Sequence, residues 1–438
     1  MSTEFFPELA ERVHRQCADI PELYSDIDRD TCPERFTIDP NVQSALPSDR
    51  GDRVRYLEDA RLVELCRIAT FLGDVRADRV ALLSSELRVS ELIEMVRTAC
   101  RCGVDAVPDA PQPLRELIEH MESTPEWIDT SLVAQGAAHA RVSAGLIAPF
   151  VTRGAFIATF TNRYAALPMT ITGALSGTRA AHRVNETTAF FAVTTLPGAL
   201  DRFGAGFEAA AMVRLMHSMV RFNALCRSTR WSVDVYGVPV PQIDQLPAGM
   251  IAPYLAALRV LRSGRTEFDR SDRAMVEFCR YRCYLLGLPE ELLPVTPQGI
   301  VDMFYARAAT LRAGFDDDCR RLVESTMDAY LRPSETLLDR AADAVEKSYS
   351  KLAFCRAFSN GQSRKARHMG VAVGVADYAR IALTAPFIAG RVLVVMVALR
   401  VPVLRGSLNR YLVRSVERRL DTYGVPAYTT DLRDYSDR

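Results

Sequence analysis

Six histidines occur in the 438 residues: His14, His120, His139, His182, His217 and His368. His217 has the setting best suited to chemistry. Val213, His217, Val220 and Ala224 follow the 4-3-4 spacing of one helical face, so the imidazole looks into apolar surroundings. Arg214 and Arg221, three before it and four after, flank that face. Such a histidine has two readings. One is a core residue satisfied by a backbone carbonyl. The other is a ring nitrogen offered to iron, with arginines pairing to carboxylates, as a haem and its two propionates would require. A second group lies one helix earlier, where Arg183, Glu186 and Thr187 share a face by the i, i+3, i+4 rule. Together they can order a polar corner or position a bound oxygen species; the plain alternative is an intrahelical Arg–Glu pair. His182 points about 100° away from Arg183 on an ideal helix and reads as a surface or packing residue. His139 reads as core. Phe190 and Phe191 read as packing residues, with a substrate-pocket wall as the alternative.

The elements that must position these groups follow from apolar periodicity and breakers. His217 falls on a helix over 206–227, and the Arg183 group on one over 178–194 that stops at Leu196-Pro197-Gly198. Residues 1–50 read as an irregular arm with a short helix near 5–18; 53–102 has helical spacing, and a further helix covers 114–122. Residues 129–167 read as long helices broken at Pro149 and Gly154. In 231–242, Val233, Val235, Val238 and Val240 alternate with turn residues, which suits a short hairpin or an extended loop. Helices resume over 248–287 and 298–331, and Ser334 is the expected N-cap of one running to 357. The stretch 379–403 is the most apolar. It reads as a core helix, with a membrane-surface helix as the alternative; Arg391 argues against spanning. The last fourteen residues, with Tyr428, Asp431, Asp434 and Asp437, read as a polar tail.

The expected class is therefore all-α: a helical core with additional N- and C-terminal helices and at most a short β-hairpin. The expected segments are an N-terminal helical arm (1–110), a core (111–340) and C-terminal helices with the apolar stretch and tail (341–438). Fifty-four basic and 54 acidic residues give a net charge of zero, so no nucleic-acid partner is expected. Lysine occurs only at Lys347, Lys351 and Lys365, which excludes lysine chemistry from the first three quarters. The ten cysteines form no paired Cys-x-x-Cys motifs and read as small buried apolar residues. Reduced cysteines, and a start without a basic stretch followed by an apolar run, favour the cytoplasm, with peripheral membrane contact through 379–403 as the alternative.

The run from Arg183 to Arg221 resembles the core motif of the latex-clearing-protein and MpaB-type oxygenase family. There, an Arg-x-x-x-Thr helix is followed about thirty residues on by Arg-x-x-His-x-x-x-Arg. Here these are Arg183 and Thr187, then Arg214, His217 and Arg221. Tyr236-Gly237-Val238-Pro239-Val240-Pro241-Gln242 resembles the family's Gly-x-Pro loop. Leu286-Gly287-Leu288-Pro289 with Leu293-Pro294-Val295-Thr296 resembles its Leu-Gly-x-Pro…Pro-x-Thr element. The similarity covers roughly 125–335. It implies a globin-like helical core holding haem b, His217 as proximal ligand, and dioxygen-dependent cleavage of carbon–carbon double bonds in isoprenoid-like chains. Two departures stand out. The rubber-cleaving branch has a distal lysine before the threonine, where this chain has Glu186. It also uses an upstream glutamate as base, and no carboxylate lies between Asp129 and Glu186. Glu186 is then the candidate catalytic carboxylate, oriented by Arg183 and Thr187. The expectation is a haem-b oxygenase on an apolar substrate, with dioxygen on the iron face opposite His217. The alternatives are a peroxide-using haem enzyme and a non-catalytic haem or lipid-binding protein.

Overall fold

Proline and aspartate set where many of the helices begin. Proline, whose missing N–H costs nothing in a first turn, opens Pro7–Asp19, Pro297–Thr310 and Pro402–Tyr423. Side-chain oxygens of Asp74, Asp269 and Asp316 accept from the first turns of Val75–Leu82, Arg270–Leu285 and Asp317–Asp328. The computed structural model describes residues 4–47, 52–172, 179–359 and 361–424. The polar tail expected over 425–438 lies outside them.

The fold is all-α, as expected. Among the described residues the only β pairings are two isolated bridges, Phe36 with Leu311 and Ser44 with Arg312. The hairpin considered for 231–242 does not form. Val233–Tyr236 makes one helical turn, and Pro239 and Pro241 have no N–H to give a ladder. Pro149 coincides with an irregularity, a π turn over Ser143–Ile147, but Gly154 does not break its helix, Ala148–Ile157. The cap expected at Ser334 is Thr336, whose hydroxyl accepts from the Asp339 N–H and opens Leu337–Phe358.

Two compact units divide the described chain, and each draws on separate stretches of the sequence. Among the described residues the first comprises those within 4–136 and 200–314, the second those within 137–199 and 315–424. In the first, Ala205–Cys226 is an interior helix packed on Val75–Leu82, Val89–Cys102 and Arg270–Leu285. Gln242–Arg262 packs on Arg270–Leu285 and Pro297–Thr310.

In the second unit, Leu337–Phe358 packs on Ala148–Ile157 and on Val375–Ala398, and Arg179–Val193 packs on Pro402–Tyr423. The core reading of 379–403 is overturned. Val375–Ala398 buries only one edge, while Leu383 and Phe387 are 74% and 79% exposed.

Gly154 explains the tightest contact in the second unit. A Cβ there would lie 2.5 Å from the Ser350 carbonyl oxygen and 3.3 Å from the Phe354 nitrogen, so the two helices meet backbone to backbone. Beside it the fully buried Arg153 pairs with Asp343 at 2.5 Å and donates to the Ala329 carbonyl at 2.9 Å. Gly154→Val should force the helices apart and destabilise this unit by about 1–3 kcal/mol. A urea transition followed by circular dichroism checks this, and an unchanged midpoint would refute the close approach.

Candidate functional site

Arg214, His217 and Arg221 occupy successive turns of the buried Ala205–Cys226 helix. Arg214 and Arg221 are each at most 2% exposed, and guanidinium groups so far from water must be paired. Their partners come from the Val75–Leu82 helix. Arg214 Nε and Nη2 donate to the two oxygens of its cap residue, Asp74, both at 2.7 Å. This is the bidentate geometry that a planar fork gives a carboxylate. Two turns on, Arg221 Nη1 donates to Asp78, while Nε and Nη2 donate to the carbonyls of Pro239 (3.1 Å) and Val240 (2.9 Å). Asp78 also accepts from the Tyr24 hydroxyl at 2.5 Å and from the Asp74 N–H at 3.1 Å. Burial and the Asp78 charge push the Tyr24 phenol well above its ordinary range, so it remains a donor. Burial pushes Asp74 upward, but Arg214 outweighs it and the carboxyl ends below its ordinary range.

The motif loops found in the sequence cover these pairs. Gly287 has φ +90°, and a Cβ there would meet Asp74 Oδ2 at 2.8 Å and Arg214 Nε at 3.2 Å. The Leu-Gly-x-Pro element thus lies directly over the Arg214–Asp74 pair. The 236–242 loop supplies the two carbonyls on Arg221. Within it Val240 has φ +47°, an unfavourable conformation for a β-branched residue.

That loop runs into the Gln242–Arg262 helix, whose first turn reaches His217. The Gly73 carbonyl accepts from Gln242 Nε2 at 3.3 Å, so Gln242 turns its own amide oxygen toward Gln245 Nε2, 2.8 Å away. Gln245 therefore faces His217 Nδ1 with its oxygen, at 3.2 Å. An amide oxygen only accepts, so Nδ1 carries the proton and Nε2 keeps its lone pair. Among the described residues Nε2 has no hydrogen-bond partner. Burial, and then the Arg221 charge, lower the ring's pKa to about 4, which leaves it neutral near pH 7. Among the described residues the buried Nη1 of Arg214 also has no hydrogen-bond partner. Among the described residues no three His, Cys, Asp or Glu side chains converge as a protein-only metal site. A porphyrin brings four nitrogens of its own and asks the protein for an axial ligand, which an unprotonated Nε2 suits.

The second group sits on Arg179–Val193, in the other unit. Glu186 is buried, and its two oxygens meet Arg183 Nη1 at 3.1 Å and His182 Nε2 at 3.0 Å. Thr187 is half-buried one residue on. Phe190 is buried and packs edge-on to Phe191 at 5.2 Å.

The six expected residues thus form two groups, one per unit, with partners the sequence did not reveal. Arg214 and Arg221, expected to meet a cofactor's carboxylates, are held by Asp74 and Asp78. His182 is exposed, as expected, and also reaches Glu186. Sequence reasoning missed Tyr24, Asp74, Asp78, Gln242 and Gln245. Asp74 and Asp78, one turn apart among the apolar Val75, Ala77, Val80 and Ala81, were a legible signal of buried acids seeking cations. The i, i+4 step from His182 to Glu186 was another.

The family described as ER-bound oxygenase mpaB/B'/rubber oxygenase, catalytic domain, matches residues 148–389. That span contains both groups but not Asp74 or Asp78. A solved structure of latex clearing protein LCP in the closed state aligns with a TM-score of 0.56 at 16% identity, covering 80% of this chain and 91% of that one. At that identity the likeness is one of fold. No curated protein matches the chain by sequence.

Two outcomes follow for the cofactor-free protein. Arg221→Met leaves Asp78 buried and unpaired and should cost about 3–5 kcal/mol, and adding Asp78→Leu should recover much of it. Denaturant titration of the single and double variants decides; an unaffected single variant would show that Arg221 does not hold the fold. Second, an unfolded histidine binds its proton near pH 6.5, whereas folded His217 does so near 4 and the half-buried His120, close to the charges of Arg214 and Arg76, near 3. Between those values the unfolded state holds the extra protons, so stability must fall as pH drops from about 6.5 toward 4. His217→Gln should flatten part of that fall in urea midpoints measured across the range.

Proposed function

Because the chain belongs to the ER-bound oxygenase mpaB/B'/rubber oxygenase family, we propose that it is a haem-b-dependent oxygenase acting on an apolar, unsaturated substrate, isoprenoid- or lipid-like, with His217 as the residue that would hold the iron. The observation that supports this reading is the contact of His217 Nδ1 with the Gln245 amide oxygen at 3.2 Å, an acceptor that favours the tautomer with an unprotonated Nε2, for which no partner is present among the described residues. When bound, haem b supplies the dioxygen chemistry at the carbon–carbon double bond. The chain's own residues supply orientation and charge. Gln245 holds the ring in one tautomer and one plane, as outer-shell acceptors do for metal-bound histidines. Arg214, with Nη1 uncommitted, is the residue suited to a propionate. Arg221 has its donors engaged by Asp78, Pro239 and Val240 and serves to position the His217 helix.

In the second group Glu186 is the proposed proton-handling residue, with Arg183 and His182 each holding one of its oxygens. Thr187, on the same helix, is proposed to present its hydroxyl to the reacting species, and Phe190 to add apolar surface beside it. We place the enzyme in the cytoplasm, with lipid-like substrate drawn from an apolar phase.

The absorption spectrum of the haem-reconstituted protein tests the assignment. His217→Ala should abolish the Soret band of the bound state, and added imidazole should restore it. Gln245→Leu, which keeps the ligand but removes its acceptor, should weaken haem retention about 10–100-fold. A Soret band of unchanged position and intensity in His217→Ala would overturn the proposal.

A further inference from the structure

We infer that the Val375–Ala398 helix and the arginine edge of Pro402–Tyr423 form a docking face for an anionic lipid surface, with the first helix lying in the plane of the membrane. The helix is anchored along one side. Asp377 and Val395 are buried, Ser348 donates to Asp377 at 2.8 Å, and the Tyr349 hydroxyl donates to the Ile381 carbonyl at 3.2 Å. Val392, Val395 and Leu399 pack into a cluster with Val142, Leu146 and Leu412. The opposite side faces outward. Val375, Leu383, Phe387, Leu393, Val394 and Val397 are between 52% and 87% exposed, and they recur at helical spacing.

On an ideal helix these residues fall within about half of the circumference. No charged residue of 375–397 falls in that arc: Asp377 points inward, and Arg380 and Arg391 sit at its border. Arg391 is turned sideways, its Nε donating to the Tyr411 hydroxyl at 3.0 Å. The stripe runs the length of a 24-residue helix, about 36 Å. An aliphatic surface of that extent is far larger than a soluble monomer leaves uncovered.

Charge says what covers it. On the neighbouring helix Arg410, Arg414 and Arg418 are exposed one turn apart and line a shallow groove of about 650 Å³, shared with Glu417 and Asp421. Arg400 and Arg405 are exposed around the turn between the two helices. An uncharged aliphatic half-cylinder beside a row of arginines matches the layering of acyl chains and phosphate headgroups. The anchored inner side, with Asp377 buried in it, keeps the helix from being surrounded by lipid, so it lies on the bilayer rather than across it.

Flotation with vesicles tests this, using the full chain. The protein should float with phosphatidylcholine vesicles containing phosphatidylserine, less with phosphatidylcholine alone, and less at high salt. Leu383→Glu with Phe387→Glu should reduce partitioning more than about tenfold. Arg410→Gln with Arg414→Gln and Arg418→Gln should remove the preference for phosphatidylserine and the salt dependence. All five side chains are exposed, so both variants should melt with the wild type. Wild-type protein that stays with the soluble fraction at low salt, or variants that float as wild type does, would overturn the inference. So would light scattering showing a dimer that the Leu383 and Phe387 substitutions convert to monomer, which would assign the stripe to a second copy.

Discussion

Two buried carboxylate–guanidinium pairs, Asp74 with Arg214 and Asp78 with Arg221, decide where the His217 helix can sit. Four charges are removed from water there, and each would be prohibitive alone. Their spacing makes them a register device. Acids one turn apart on one helix meet arginines two turns apart on another, so a slip of either helix by one residue would strand charges in the interior. The surrounding chain is shaped to this demand. Glycine stands at 287 because a side chain would intrude on the Arg214 pair, and glycine at 73 because a Cβ would lie 1.9 Å from the Tyr24 hydroxyl. Val240 is held at positive φ with its carbonyl on Arg221, a local cost offset by the bond the buried guanidinium requires.

The same loop that caps the acidic helix also sets the protonation of His217. Leu72 and Gly73 offer their carbonyls to Gln242, and the next residue is Asp74. One short segment therefore fixes a buried ion pair on one side and, through two glutamine amides, the tautomer of an imidazole on the other. With Asp74 and Asp78 each neutralised by its own arginine, little negative charge is left to favour a protonated ring, and the upward pull of Asp74 is the smallest of the influences on it. Burial and the residual field of Arg221 keep it neutral. A histidine with one committed nitrogen and one bare one is a feature built from several elements, not a property of its helix alone.

This separates what was legible in the sequence from what was not. Periodicity located the helices of Arg183 and His217 to within two residues, because burial of one face repeats along the chain. The family resemblance, not periodicity, singled out the Gly-x-Pro loop and the Leu-Gly-x-Pro element, though not their task of covering ion pairs. The partners of Arg214 and Arg221 were hidden because they lie 140 and 143 residues away, outside the span that matches the family. Spacing could say that two arginines flank a histidine, but not whether a cofactor or the protein would neutralise them. Gln245 was invisible for a related reason: an amide's role depends on which way its neighbours turn it. The stretch 379–403 misled differently. Hydropathy reports that a surface avoids water, not which element covers it, and here one side is covered while the other is left bare.

On the proposed function, the second group bears on how the acid–base chemistry would be arranged. The resemblance to the rubber-cleaving branch called for a lysine before the threonine and a glutamate from an upstream helix, and the chain has neither. Glu186 stands at the lysine's position, with Arg183 and His182 on its two oxygens. A cation and a carboxylate are thus both present, brought together within about one turn of a single helix rather than drawn from two. On the proposed reading, that arrangement ties the acid–base group to the helix that carries Thr187. A carboxylate held on both oxygens by Arg183 and His182 of its own helix has little freedom to swing. Its reach toward substrate is therefore set by where Arg179–Val193 packs on Pro402–Tyr423 in the second unit, which makes the placement of that helix, more than the identity of any one side chain, the determinant of which bond it can serve.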